Sequence, residues 1–277
     1  MLQKNNSIGV IDSGLGGLSL FRYICDQLPY ENIVYLADSA NVPYGDKTSS
    51  WVLSRSKDLI ATLIYQAGCK VVVIACNTIT AVAIDQLRSS FGIPIIAIEP
   101  AIKPAVNLTT SKKIAVLATA LTLKGDNVSR LVAEYGQGIE ILLVPCIGLA
   151  DRVEGGQVNS YEMWLYLTAL LEPLMAAQVD TIVLGCTHYP FVQHTIQDIM
   201  GADVTIIDPS DAVTAQLIRQ LNYHDLNRTQ NMDGSRVVWT NIAEATTESI
   251  VFSLLGKTLP IMSFDITSYD SRQVIFL

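Results

Sequence analysis

Two cysteines stand in matching surroundings 110 positions apart, Cys76 in VVVIACNTIT and Cys186 in TIVLGCTHYP. Each ends a run of β-branched and aliphatic residues and is followed by amide or hydroxyl side chains. A short apolar run bounded in this way reads as a buried strand that stops at the cysteine. In α/β sheets ligands bind outside the carboxyl ends of strands, so two such thiols suggest one site approached from two sides. A strand-to-helix junction at each cysteine would favour the thiolate and offer unpaired N–H groups to a carboxylate.

Two opposed thiols can do what one cannot. Inverting a carbon centre by proton transfer takes a base on one face and an acid on the other, whereas a single fixed base tends to return the proton to the face it left. A thiol suits both roles, because its unperturbed pKa of about 8.5 lies near working pH. His188, two residues past Cys186, could exchange a proton with that thiol or hold it as an ion pair. Asp12 ends the first strand and opens DSGLGG. A carboxylate beside Cys76 would raise that thiol's pKa, and so favour the acid form or relay a proton. The glycines permit a tight turn that presents N–H groups to an anion at a helix start, with a plain turn capped by Asp12 as the equal alternative. As a dinucleotide fingerprint the turn fails, since Ser19 occupies the third glycine position. A second polar loop, ADSANVPYG, carries Asp38, Ser39, Tyr44 and Gly45 and reads equally as turn or ligand contact.

Other chemistries fit less well. Cys76, Cys186 and His188 fall short of four metal ligands and lack a structural zinc spacing, so no metal is expected. No G-x-S-x-G elbow supports a serine hydrolase. Lys47, Lys57 and Lys103 lie away from the polar strand ends, which argues against pyridoxal phosphate, and no cofactor is assigned. Cys25 and Cys69 read as small core residues.

The elements that must position these residues are legible as alternation. Strands are expected at 8–11, 33–37, 71–75 and 95–98, and again at 114–117, 139–144, 181–184 and 204–207, with helices between them. Such a pattern implies right-handed βαβ units in a parallel sheet. Landmarks also recur in order: Ile8 with Ile114 and Ile33 with Ile139 at 106 positions, Cys76 with Cys186 at 110, Glu99-Pro100 with Asp208-Pro209 at 109. The chain therefore reads as a duplicated domain, with a boundary near Glu99 and the thiols facing each other across a cleft. From about Val213 a helix, a strand at 237–240 and a helix at 244–255 have no counterpart in the repeat. The tail from Ser263 to Leu277 carries no readable signal.

Composition agrees. With 277 residues, half of them apolar, the chain can bury one large or two ordinary cores. Its most apolar stretch, near 114–123, is broken by Thr119 and Thr122 and flanked by lysines, so it reads as a buried strand and not a membrane span. An odd five cysteines and the lack of an apolar leader point to reduced thiols in a cytoplasmic protein. A net charge of −8 without a basic cluster argues against nucleic acid or an anionic membrane as partner, though not against a small anionic substrate.

On these motifs the chain resembles the glutamate racemases, cofactor-independent enzymes that supply D-glutamate for bacterial cell walls. IGVIDSGLGG, ADSANVPYG, ACNTITA, IEPAIKPA, VPC, LGCTHYP and IDPSDA carry the likeness over most of the length, and the pairing of ACNT with GCTH is specific. The resemblance implies an α/β fold of two similar doubly wound parallel-sheet domains related by a pseudo-twofold, with the active site in the cleft between them. Residues 1–98 plus 210–277, including returning C-terminal helices, would form one domain and residues 99–209 the other. It implies Cys76 and Cys186 as acid/base thiols, with Asp12 and His188 as their partners. Substrate contacts would come from Ser13, Tyr44, Gly45, Asn77, Thr78 and Thr187. Glu154, in RVEGG, falls where the family has a functional acidic residue, although Ala150-Asp151-Arg152 before it departs from the family's more apolar run. Glutamate as substrate, a part in peptidoglycan synthesis and cell shape, and Cys186 as the thiol facing L-glutamate also follow, and a homodimer is left open. The alternatives are an aspartate or other small-acid racemase, or a decarboxylase of the same fold, and, from another class, a non-catalytic protein that closes around a small anion.

Overall fold

Within residues 3–270, which the computed structural model describes, the apolar runs form two sheets whose strands all pair in parallel. The first contains β1 (Ile8–Asp12), β2 (Ile33–Ala37), β3 (Val71–Ile74) and β4 (Ile95–Ala97); the second contains β5 (Lys113–Ala118), β6 (Glu140–Pro145), β7 (Thr181–Gly185) and β8 (Thr205–Ile207). Laid side by side the orders are β2-β1-β3-β4 and β6-β5-β7-β8, one arrangement used twice. β1, β2, β3 and β7 are buried along their whole length, which is why they read as unbroken apolar runs without alternation. The first sheet then continues past β2 with β9 (Arg236–Thr240) and β10 (Ile261–Ser263).

Helices α1 (Leu18–Gln27), α2 (Ser49–Tyr65) and α3 (Asn77–Ser90) connect the first four strands. After β4, α4 (Ile102–Leu108) leads into the second sheet, whose connections are α5 (Ala120–Lys124), α6 (Asp126–Tyr135), α7 (Leu149–Glu154), α8 (Tyr161–Ala176) and α9 (Gln193–Met200). Two more, α10 (Ser210–Tyr223) and α11 (Glu244–Leu255), both pack against α1. One apolar cluster runs from Ile8, Leu20 and Phe21 to Leu117, Leu171 and Leu184, so the layers of the two sheets share a packed seam. No helix among the described residues is long and apolar enough to cross a membrane.

In both sheets the strand order turns back at the first strand, so the crevices at the carboxyl ends of β1/β3 and β5/β7 are the natural binding places. The stretch after β10, unreadable in sequence, is ordered by contacts with α2 and the end of α3. Thr267 N–H donates to Thr62 Oγ1 at 2.9 Å, Tyr269 N–H donates to Asp58 Oδ1 at 2.7 Å, and the Tyr269 ring meets Phe91 edge-on at 5.1 Å. The last seven residues of the tail, 271–277, lie outside the described residues.

Candidate active site

Cys76 follows β3 in extended backbone, φ −79° and ψ 115°, and caps α3. Cys186 follows β7, but the expected helix does not begin there. His188 leads into a four-residue 3₁₀ turn, Tyr189–Val192, and α9 starts only at Gln193. Two thiols on corresponding strands therefore have different electrostatic settings.

Both sulfurs reach one small cavity between the sheets. Its wall takes Ser13, Val42 to Gly45 and Cys76 to Thr78 from the first sheet's loops, and Thr119, Ala150 and Cys186 to His188 from the second's. Ser13, Tyr44, Gly45, Asn77, Thr78 and Thr187 are thus brought together, whereas Asp12 and Glu154 stand behind the wall. The cavity measures about 20 Å³, room for about one water.

On the Cys76 side, the Sγ lies 3.6 Å from Ser13 Oγ. Burial, then the nearby Asp12 carboxyl, push this thiol up to about 12, against the Ile79 N–H and the Ser13 hydroxyl. The start of α3 does not win here, and Cys76 rests as the thiol. Asp12 is fully buried. Its Oδ2 accepts Gly17 N–H at 2.7 Å, while its Oδ1 has no hydrogen-bond partner. Burial raises the Asp12 pKa, with His188 as the main opposing influence. Tyr35, buried next to it, donates its hydroxyl to Gly14 O at 2.8 Å.

The Cys186 side is built with the opposite sign. Its Sγ lies 3.7 Å from His188 Nδ1, and His188 Nε2 lies 2.7 Å from Glu154 Oε2. Burial alone would depress the imidazole, but its hydrogen bonds to Cys186 and Glu154 outweigh that and hold its pKa well above the usual range. The Glu154 carboxylate is held in turn by Leu15 N–H, 3.0 Å from both oxygens. The glycine turn of DSGLGG does cradle an anion, then, and that anion is the protein's own Glu154. A β-carbon on Gly14 would fall 2.6 Å from Glu154 Oε1, and one on Gly16 would fall 2.3 Å from His188 Nδ1. Only glycine permits this approach. From the start of α1, just past the turn, Ser19 Oγ donates to Thr187 O at 3.0 Å.

Between the thiols the wall is polar. Thr78 Oγ1 lies 3.2 Å from Thr119 Oγ1 and 3.3 Å from Thr122 Oγ1, and the latter two are 2.8 Å apart. Both amide atoms of Asn77 are buried without a partner. Tyr44 sends its hydroxyl away from the cavity to Asp38 and contributes its ring, packed edge-on against Trp51 at 5.2 Å. Thr119 was missed in the sequence, although a signal existed: it is the counterpart of Ser13 at the 106-residue offset.

Two thiols with unequal partners on one small cavity form an arrangement that could move a proton across a carbon centre. The model of the Asp/Glu/hydantoin racemase family matches residues 8–217. The chain belongs to that family. Among curated relatives, the glutamate racemase of Clostridium perfringens is 40% identical over 87% of this chain and 93% of its own. That of Cupriavidus pinatubonensis is 44% identical over 79% and 80%. Among solved structures, a glutamate racemase isoform from Bacillus anthracis superposes with a TM-score of 0.86 at 30% identity, over 95% of this racemase and 98% of that chain. A Francisella tularensis glutamate racemase in complex with D-glutamate gives 0.83 at 28%, over 96% and 100%. The two parallel-sheet α/β domains are those of these neighbours, and the chain is an amino-acid racemase, an isomerase by class.

Proposed function

We propose that this racemase interconverts L- and D-glutamate by moving the Cα proton between Cys76 and Cys186, without a cofactor. The observation that carries the reading is that both thiols face one small cavity with opposite partners, Asp12 behind one and His188–Glu154 behind the other. The names of the relatives and the D-glutamate held by the Francisella tularensis enzyme support glutamate as the substrate.

With substrate between the sulfurs, Cys186 as a thiolate paired with the imidazolium of His188 takes the proton from one face of Cα. Cys76, resting as the thiol, delivers a proton to the other face. In the reverse direction Cys76 must first give up its proton, and Asp12, with its unpartnered Oδ1, is the group behind it to receive or relay that proton. The carbanion formed between the two steps is stabilised by preorganised donors: N–H groups at the start of α3, the Thr78 and Thr187 hydroxyls, and the free Asn77 amide. Ser13, Tyr44 and Gly45 shape the substrate's seat. Glu154 acts through His188, holding its tautomer and charge.

The division into residues 1–98 plus 210–277 and 99–209 belongs to the same reading. So do a cytoplasmic location and the supply of D-glutamate to peptidoglycan. Incubating the protein with L-glutamate in deuterium oxide without added cofactor should yield D-glutamate carrying deuterium at Cα. Cys76→Ala and Cys186→Ala should each abolish racemisation. Activity surviving in either variant refutes the two-thiol mechanism, and faster exchange into aspartate than into glutamate moves the substrate assignment.

A further inference from the structure

The two sheets repeat each other until β2, beyond which only the first has β9 and β10. β9 pairs with β2 in a register that sets Thr240 opposite Ala37. The next residue, Asn241, therefore emerges beside the loop that begins at Asp38 and ends on the cavity wall. Its side chain makes two contacts there. Asn241 Nδ2 donates to Asp38 Oδ1 at 2.5 Å, and its Oδ1 accepts Ala40 N–H at 2.9 Å.

Asp38 is the hub of that loop. Fully buried, it also takes Arg55 of α2 through Nη2 at 2.6 Å and Nε at 2.8 Å, Asn41 Nδ2 at 3.0 Å, and the Tyr44 hydroxyl. A carboxylate offers about four acceptor positions, and here donors from four side chains use them all. Tyr44 is thereby held where its ring, with Gly45, closes the cavity. A β-carbon on Gly45 would already lie 3.1 Å from Thr119 Cβ, so the wall has little room to shift.

We propose that Asn241 is a positioning residue, the tip of a latch by which the segment after α10 holds the 38–46 loop and sets the Tyr44–Gly45 wall of the substrate cavity. The proposal rests on the racemase reading above and extends it to a segment with no counterpart in the duplicated half. It also gives that segment a role that sheet pairing alone does not. The backbone bonds between β9 and β2 end at Thr240, and the Thr240–Thr247 hydroxyl contact of 2.9 Å secures α11 without Asn241. Removing the amide side chain frees the loop and leaves the sheet intact.

The test is Asn241→Ala, a half-buried site whose truncation leaves no cavity in the core. With glutamate, KM should rise about tenfold while kcat stays within about twofold, the pattern of lost ground-state seating. A second readout needs no activity. In a chain carrying Trp164→Phe and Trp239→Phe, Trp51 is the remaining tryptophan, and it packs on Tyr44. Adding Asn241→Ala should then make Trp51 more accessible to acrylamide quenching. Unchanged KM overturns the proposal, whether or not Trp51 is released; so does a kcat that falls in step with a lowered melting temperature at constant KM. If the parent enzyme fails to racemise glutamate, the functional reading fails by itself, and unchanged quenching of Trp51 would still overturn the latch.

Discussion

A thiol at the start of a helix ordinarily loses its proton more easily. Cys76 does the reverse, because it is sealed from water beside Asp12, and the N–H groups of α3 do not compensate. Asp12 has the same history. Its Oδ1 is buried without a donor, and burial lifts its pKa above the usual 3.8. The consequence for stability has a definite sign. The folded protein keeps this proton at pH values where the unfolded chain has released it, so the wild type loses stability as pH climbs from about 3.8 through the folded value. Asp12→Asn removes that penalty because the amide is neutral throughout. The variant is expected to melt above the wild type at neutral pH, with the gap closing as pH falls below about 4. It should lose activity at the same time, most in the direction that begins at Cys76. Melting curves across pH, alongside rates in both directions, check this, and a variant that melts lower at every pH contradicts it.

At the scale of elements, the glycine turn before α1 joins the site's two sides. It bonds Asp12 Oδ2 through Gly17, holds Glu154 through Leu15, and lets His188 lie against Gly16. Gly16→Ala puts a methyl group where the imidazole is. Because the displaced imidazole is buried and bonded to Glu154, the expected result is a melting temperature lowered by overpacking, together with a loss of racemisation of about a hundredfold or more, in line with losing general acid–base help. Activity near wild type would mean that His188 can move without consequence. Sequence had shown Asp12, Cys76, Cys186 and His188 because strands buried on both faces leave polar residues conspicuous at their ends. It did not show α4, α5 or α7, whose five to seven residues are too few to display a helical period. Nor could it show that the turn's anion is Glu154, a contact spanning 139 positions, or that Tyr44 turns its hydroxyl toward Asp38. Thr119 was within reach of the 106-residue offset, yet it looked like a break in an apolar run.

For the molecule as a whole, the cavity between the thiols is too small for any amino acid, about 20 Å³ against the ten or so heavy atoms of glutamate. The seam beside it is held by Leu15–Glu154, Ser19–Thr187 and the Thr78–Thr119–Thr122 cluster. At its edge a β-carbon on Gly125 would fall 2.7 Å from Ala81 Cβ. Gly125→Val should therefore wedge the halves apart, increasing the radius of gyration in small-angle scattering and raising KM by tenfold or more, and an unchanged scattering curve would show that the seam yields locally. The sheet arrangement also has a consequence during synthesis. β5 to β8 occupy residues 113–207, so the four-stranded sheet can pair as soon as that stretch leaves the ribosome. The sheet begun by β1 waits for β9 and β10, more than 200 residues later. Domains generally fold as units as they emerge, so the four-stranded sheet is expected to mature before the six-stranded one. Both thiols are already translated by then, but the Asn241 bonds to Asp38 and Ala40 are not yet made, and a ribosome stalled before Asn241 would carry both sulfurs beside an unfinished chamber.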